Sequence, residues 1–151
     1  MYATVNGLNY YDMHDAVLQS ASLMSRQFTL VLDQVYIKAE HPANRDIVTK
    51  RTNDFRMVFD DVSSLSLYEE GYELFDADMK PYRKVEDRKV KDEDVSYDLE
   101  HMAGCEVDEA LVEQLEDGIH FTLRLLVEDH TWRIEVNARG SHESFARFMS
   151  L

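Results

Sequence analysis

Apolar and polar residues alternate along several short stretches of this chain, and a period of two is typical of half-buried β-strands. The strongest early example is QFTLVLDQVYI at 27–37, where the alternation holds as far as Leu32. Val35 and Ile37 then continue it with the parity shifted by one residue, as an intervening β-bulge would produce. The preceding stretch, 16–24, also fits one face of a helix, but the short turn and the strong strand after it favour a hairpin.

Two later regions repeat this alternation. The stretch 54–68 predicts one strand before the sequence DDVSS and a second, shorter one after it. The stretch 119–138 predicts a hairpin that turns around Glu128–His130, since its apolar residues share one face on each side of that turn. Between the early strands, 38–53 is polar and contains Pro42, which disfavours both a helix and a central strand.

A helix is predicted over 107–117, within the sequence EVDEALVEQLEDG. Val107, Leu111 and Leu115 recur every four residues and would form one apolar stripe. Acidic residues at its start suit the positive end of a helix dipole, and Gly118 follows at the position of a left-handed C-cap.

The stretch 69–104 is crowded with charge and also holds Gly71, Pro81 and several aromatic residues. We interpret it as a long insertion between strands, and insertions of this length are either functional or partly disordered. The tail 139–151 leaves open a final strand or a short helix. The whole pattern predicts a single α+β domain over 1–151, with an antiparallel sheet of about six strands, one or two helices and this charged insertion.

The charge of the chain is strongly negative and unevenly placed. Its 30 acidic and 16 basic residues give a formal net charge of −14. Residues 69–117 hold 18 of the acids and 6 of the bases, a local charge of −12. Such a protein repels phosphate backbones and anionic lipids, because binding to either relies on Lys and Arg. Nucleic acid and membranes are therefore excluded as partners, whereas a basic protein fits.

Aromatic residues are interleaved with the acids of this region. The combination suits docking of a basic protein, because charge speeds the encounter and aromatic rings supply buried contacts. A solvated acidic surface without a partner is the plainer alternative, and the sequence leaves both open. The candidate partner-binding residues are Tyr72, Phe75, Tyr82, Tyr97, Glu109, Glu113 and Glu116.

Candidate catalytic groups are few. His14 and Asp15 are adjacent, but neighbouring side chains of a strand point to opposite faces, and no nucleophile accompanies them. Cys105 lies between Gly104 and Glu106, a setting that raises the pKa of a thiol. We expect His14 and Asp15 to lie in a turn before the strand at 16–24, with polar side chains satisfying backbone groups.

Asp12, His14 and Asp15 are the only close set of potential metal ligands, and they are weak candidates because the other histidines are scattered. No catalytic residue, metal or cofactor is therefore assigned. A small metal- or ligand-binding enzyme that uses these three residues remains an alternative. It requires a cavity on which further histidines converge, such as His41, His120 or His130.

Cysteine usage bears on the compartment. The single cysteine excludes an intramolecular disulfide and favours a reducing environment, so we expect a cytoplasmic protein. The first residues lack the pattern of a signal peptide, and no apolar run approaches the ~20 residues needed to span a bilayer.

Three segments of the chain resemble a known group of proteins. MHDAVLQSASLMSRQFTLVLD (13–33), FRMVFDDVSSLSL (55–67) and WRIEVNARG (132–140) are similar to a loose pattern in small bacterial domains of unassigned function. Some of these domains are similar to immunity proteins of polymorphic toxin systems. The resemblance covers about half of the chain and leaves 69–117 outside it. It implies an antiparallel, β-rich α+β domain that binds a partner, and it implies no catalytic residues.

These observations favour a non-enzymatic protein-binding domain whose acidic face docks a basic partner, with toxin neutralisation as the sharpest version. The metal- or ligand-binding enzyme is the first alternative. A structural subunit of a homo-oligomer, such as a homodimer, is the second.

Overall fold

The computed structural model describes residues 1–151 and is mostly β, with 57% of the residues in strands and 8% in helices. The predicted α+β class with about six strands is therefore wrong. The single α-helix, α1 (Val95–Glu100), follows a 3₁₀ turn at Asp92–Asp94. The strands are β1 (Tyr2–Val5), β2 (Tyr11–Asp12), β3 (Val17–Met24), β4 (Gln27–Asp33), β5 (Val35–Ile37), β6 (Lys50–Thr52), β7 (Phe55–Asp60), β8 (Ser64–Glu69), β9 (Tyr72–Phe75), β10 (Pro81–Val85), β11 (Arg88–Lys89), β12 (Glu106–Leu115), β13 (Gly118–Val127), β14 (His130–Ala138) and β15 (Gly140–Phe145).

Ten of these strands form one antiparallel sheet in the order β1-β15-β7-β4-β3-β12-β13-β14-β8-β11. β3 and β12 meet through one residue pair, Val17 and Glu106, so the sheet consists of two halves joined at this point. The ring centroids of Phe59 on β7 and Phe121 on β13 lie 4.9 Å apart. The two halves therefore face each other across a shared core. A three-stranded sheet, β2-β5-β6, and a separate hairpin, β9-β10, complete the fold.

The core is built from the alternating apolar residues that the sequence predicted. Phe59 stacks on Phe28 with ring centroids 6.1 Å apart, and both are fully buried. The hairpins predicted around 16–37 and 119–138 are confirmed as β3-β4 and β13-β14. The predicted strands of 54–68 are confirmed as β7 and β8.

The parity shift after Leu32 has a different cause from the predicted bulge. β4 ends at Asp33, and β5 begins at Val35 in the three-stranded sheet. Gln34 between them has φ 60°, and its backbone N–H donates to Asn53 Oδ1 at 3.0 Å. The chain thus changes sheet here, and the apolar residues on both sides remain buried.

The helix predicted over 107–117 is wrong, because these residues form β12 and the turn that leads to β13. A spacing of four residues also fits a strand, since positions separated by an even number share one face. A bulge between Val107 and Glu109 then reverses the parity. As a result Val107 is buried, whereas Leu111 and Leu115 are 51% and 44% exposed.

Residues 69–104, interpreted as a charged insertion, leave the large sheet at β8 and return to it at β11. The hairpin β9-β10 between them has no buried residue. Val90, Val95 and Leu99 then pack into the core, so α1 lies against the body of the protein beside β3. The tail, for which a strand and a helix were both open, forms β15. No helix here has the length and apolar character needed to cross a bilayer.

Candidate functional site

Residues 92–117 form an exposed surface, here called the acidic strip. It contains eleven Asp and Glu residues and no Lys or Arg, and all of these acids except the half-buried Asp98 are exposed. The strip consists of α1, the turn after it and β12, and it passes the junction of the two half-sheets. Glu109 is its only acid with an ion-pair partner, Arg124 at 2.7 Å. The other carboxylates have no cation beside them.

Acids outside the strip are neutralised by a compact network. Arg133 Nη1 lies 2.7 Å from Glu70 and 3.2 Å from Asp87, and its Nε lies 3.2 Å from Glu135. Arg124 joins the network through a 3.2 Å contact with Glu70. Because these neighbouring acids are paired, the excess negative charge belongs to the strip.

One edge of β12 has no partner strand along most of its length. β13 pairs with β12 from Glu106 to Leu115, whereas β3 meets it only at Glu106. The backbone hydrogen bonds of this junction end at Val107, whose N–H donates to the Ala16 carbonyl and whose carbonyl accepts from the Asp15 N–H. Beyond Val107, β12 continues past the start of β3, and its edge is open.

A cleft of about 420 Å³ runs along this open edge. Residues 108–112 form one wall and residues 8–14 form the other. Phe121 and Met13 contribute apolar atoms to the lining. Lys38 is the only Lys or Arg residue in it. The cleft is therefore lined by both apolar and acidic side chains.

His14 marks the start of the open edge. Its Nδ1 donates to the backbone carbonyl of Asp108 at 2.6 Å, since a carbonyl oxygen can only accept. Its Nε2 lies 3.5 Å from Asp15 Oδ1. The bond to the Asp108 carbonyl, followed by the negative charge of Asp15, raises the pKa of His14. The imidazole is thus hydrogen-bonded to the last carbonyl of β12 before the part of its edge that has no partner strand.

The predicted turn around His14 and Asp15 is confirmed. Asp12 Oδ1 accepts a hydrogen bond from the His14 backbone N–H at 3.0 Å, and Asp15 has φ 66°. The argument that neighbouring side chains of a strand point to opposite faces does not apply to His14 and Asp15, because both residues lie outside any strand. They contact each other in the turn, on an exposed surface.

The far wall of the cleft is anchored by a chain of buried hydrogen bonds. The backbone N–H of Ala43 donates to His41 Nδ1 at 3.0 Å, which leaves Nε2 as the protonated nitrogen. Nε2 donates to the Tyr11 hydroxyl at 2.9 Å, and that hydroxyl donates to Thr4 Oγ1 at 2.9 Å. Burial raises the pKa of Tyr11 to about 12, so its hydroxyl keeps its proton. The carboxylate of Glu143 accepts from the backbone N–H of Gly7 on the same segment.

Glu143 and His41 are both buried ionisable groups, and their role as anchors was not predicted. Burial raises the pKa of Glu143 and lowers the pKa of His41. Each shift favours the neutral form, as expected for groups removed from water. His41 was predicted to lie in a polar loop, and Tyr11, the partner that ties it to the cleft wall, is 30 residues away in the sequence, so no local pattern could reveal this contact.

His41→Gln tests this anchoring through the pH dependence of stability. The folded state lowers the pKa of His41 below its ordinary 6.5, so the unfolded chain binds the extra proton first. The stability that neutral His41 contributes is present at higher pH and is lost as the pH falls from about 6.5 towards the folded pKa. The loss amounts to about 1.4 kcal/mol for each pH unit between the two pKa values. We expect the stability difference between wild type and His41→Gln in urea unfolding to be constant above pH 7 and to shrink below pH 6.5. His130→Gln, at the exposed start of β14, is the control. A stability difference between wild type and His41→Gln that stays constant down to pH 5 would contradict the assignment.

The sequence-predicted partner-binding residues do not form one surface. Tyr72, Phe75 and Tyr82 lie on the exposed hairpin β9-β10. Tyr97 lies on α1, where its ring contacts His101 with ring centroids 4.1 Å apart.

The three candidate glutamates are all on the β12 side. Glu109 and Glu113 lie along β12, and Glu116 lies in the turn after it. Tyr72 contacts His130 at the start of β14, with ring centroids 6.5 Å apart, whereas Glu116 lies at the opposite end of β13. Glu116 is therefore far from the hairpin aromatics, whereas Glu109 shares Arg124 with Glu70, two residues before Tyr72.

Three further predictions concern reactive groups. Burial, followed by the charge of Glu128, raises the pKa of Cys105. The predicted direction is confirmed, but the cause is not the neighbouring Glu106. No three His, Cys, Asp or Glu side chains are grouped so that they could hold a metal ion. Asp12 and His14 line the cleft, but His41, His120 and His130 do not.

The fold and the site together define a mostly β protein with an acidic, open sheet edge. No protein-family model, no curated protein and no solved structure matches the chain.

Proposed function

We propose that the protein is a non-enzymatic binding protein that docks a basic protein partner through its acidic strip. The observation that carries the proposal is the uncompensated charge of residues 92–117, where Glu109 alone has a cationic partner. Like charges held close together on one surface repel each other, and a cationic partner relieves that repulsion. The proposal includes the cytoplasmic location that the single cysteine favours.

The charge distribution supports docking at this surface rather than a generally acidic character. Elsewhere, Arg133 and Arg124 neutralise the neighbouring acids, and the hairpin β9-β10 carries balanced acidic and basic residues. An attractive field confined to one face orients a basic partner and raises its association rate. The resemblance to immunity proteins suggests a toxin domain as that partner.

A charge-reversal experiment tests the proposal. We expect Glu109, Glu113 and Glu116, changed together to Lys, to lose the partners that the wild-type protein captures from cells and that rebind as purified proteins. The control variant changes three exposed acids outside the strip, Glu40, Asp78 and Asp129, to Lys, which gives the same change in net charge.

The two variants separate local charge from total charge. Loss of binding in both would show that overall charge is responsible, and retention of every partner by the strip variant would overturn the proposal. Binding that weakens steeply with salt is expected for the wild type and for the control variant, since both keep the strip and exposed charges are screened within about 8 Å at physiological ionic strength.

A further inference from the structure

We propose that the partner adds an extended strand to the open edge of β12, and that this strand alternates basic with apolar side chains. This inference rests on the proposed function and specifies how the acidic strip would hold its partner. Strand addition to an exposed sheet edge supplies affinity through main-chain hydrogen bonds and specificity through alternate side chains. Both components are present along β12.

The main-chain component follows from the register of β12. Val107 directs its N–H and carbonyl away from β13, towards residues 15 and 16. In an antiparallel ladder such outward-directed residues alternate with inward-directed ones, and the bulge after Val107 moves the next outward residue to Ala110. Ala110, Val112 and Gln114 therefore direct their backbone groups to the open edge, where no strand pairs with them.

The side-chain component comes from the two faces of the same strand. Glu109 and Glu113 lie on the outer, exposed face, whereas Ala110 and Val112 pack against the core. Directly opposed residues in an added strand approach with Cβ atoms about 4.5–5.5 Å apart. Basic side chains of that strand would lie beside Glu109 and Glu113, and its alternate apolar side chains would enter the cleft over Phe121.

The acidic charge of β12 favours one kind of added strand over the others. Open edges are commonly protected from pairing by charged residues, often Lys. Here the protecting charges on β12 are all acidic, so they repel acidic strands and attract basic ones. A second copy of this chain would bring Glu109 and Glu113 against their equivalents, and like charges in opposed positions are destabilising. A basic segment is the strand that this edge admits.

The cleft provides room for such a segment. Its volume of about 420 Å³ falls within the range of about 300–1,000 Å³ of pockets that hold small ligands. Its walls belong to β12 on one side and to the anchored segment 8–14 on the other. The opening is thus part of the folded protein and does not require a strand to be displaced.

Two synthetic ten-residue peptides of identical composition provide the test. One alternates Lys and Val, and the other places five Lys before five Val, so only the first can direct all basic residues to one face of a strand. Both have blocked termini, and binding is measured by titration calorimetry at low salt. We expect the wild-type protein to bind the alternating peptide at least tenfold more tightly than the block peptide.

Gln114→Pro tests the main-chain contacts. The substitution removes an N–H that points to the open edge and leaves the bonds to β13 in place, and proline is tolerated at such edge positions. We expect an unchanged melting temperature and loss of the tenfold preference for the alternating peptide. Gln114→Ala, which retains the N–H, should behave like the wild type.

Amide hydrogen exchange of the wild-type protein gives a second readout that does not depend on a variant. The alternating peptide should slow exchange at Ala110, Val112 and Gln114, and it should leave Leu111 and Glu113 unchanged, because β13 already pairs with them. Equal binding of both peptides without this alternating protection would overturn strand addition and leave acidic docking intact. Failure of the wild type to bind either peptide at low salt would overturn both proposals.

Discussion

Replacing Phe59 with alanine is expected to lower the free energy of unfolding by about 3–5 kcal/mol, the largest effect expected of any single substitution proposed for this protein. Phe59 is fully buried, and its ring contacts Phe28 and Phe121 with centroid distances of 6.1 and 4.9 Å. Phe121 belongs to the opposite half of the sheet. The substitution therefore leaves a cavity at the contact between the halves, where neither can easily close it.

Urea unfolding followed by intrinsic fluorescence and circular dichroism measures this effect. Tyr82→Ala is the matched control, because that aromatic residue is 65% exposed on the hairpin β9-β10. We expect its effect to stay within about 0.5 kcal/mol, as for ordinary surface substitutions. Equal effects of the two substitutions would show that the halves do not share a core as described.

Replacing Arg133 with alanine is expected to cost about 2 kcal/mol, because hydrogen bonds to charged groups are worth about 1.5–3 kcal/mol and three acids each lose one charged partner, although Glu70 keeps Arg124. The Arg133 side chain is 15% exposed, and its guanidinium lies over the Tyr68 ring at 4.5 Å from the centroid. The loss combines unpaired carboxylates with lost packing. The acids are 21–45% exposed, so solvent screens part of the electrostatic loss and the expected cost lies within the lower part of that range.

The natural comparison for Arg133 is a surface arginine. Arg139 is 80% exposed and lies 3.7 Å from Asp61, and an exposed pair of this kind contributes only about 0–1 kcal/mol. Thermal unfolding of Arg133→Ala, Arg133→Lys and Arg139→Ala should therefore rank the losses, with Arg133→Ala largest. The loss for Arg133→Lys should fall between the other two losses, because lysine keeps the positive charge but lacks the planar guanidinium that contacts several acids at once. A result in which Arg139→Ala costs as much as Arg133→Ala would contradict the structural role of the network.

The strands of the core could be predicted where alternation and burial agree. Leu30 and Met57 lie at the centre of such runs, and both are fully buried. β12 could not be predicted in the same way, because Val107, Leu111 and Leu115 satisfy the spacing of a helix and of a strand alike. The error in fold class followed from that one misassigned segment and from the short strands hidden in the polar regions.

The candidate site was predictable in part. The placement of acidic charge is visible in the sequence, and that placement alone points to Glu109, Glu113 and Glu116. The open edge was not visible, because it depends on which strand pairs with β12 and for how long. The single contact between Val17 and Glu106 joins residues far apart in the chain, and local patterns carry no information about it.

The hairpin β9-β10 has a consequence for how this protein can change over evolutionary time. None of its residues is buried, so its length and composition can drift without loss of core packing. β12 cannot vary in this way, because its residues either pack against the core or form the exposed face of the acidic strip. Comparison among close descendants of this chain should accordingly find divergence concentrated in the hairpin and restraint along β12.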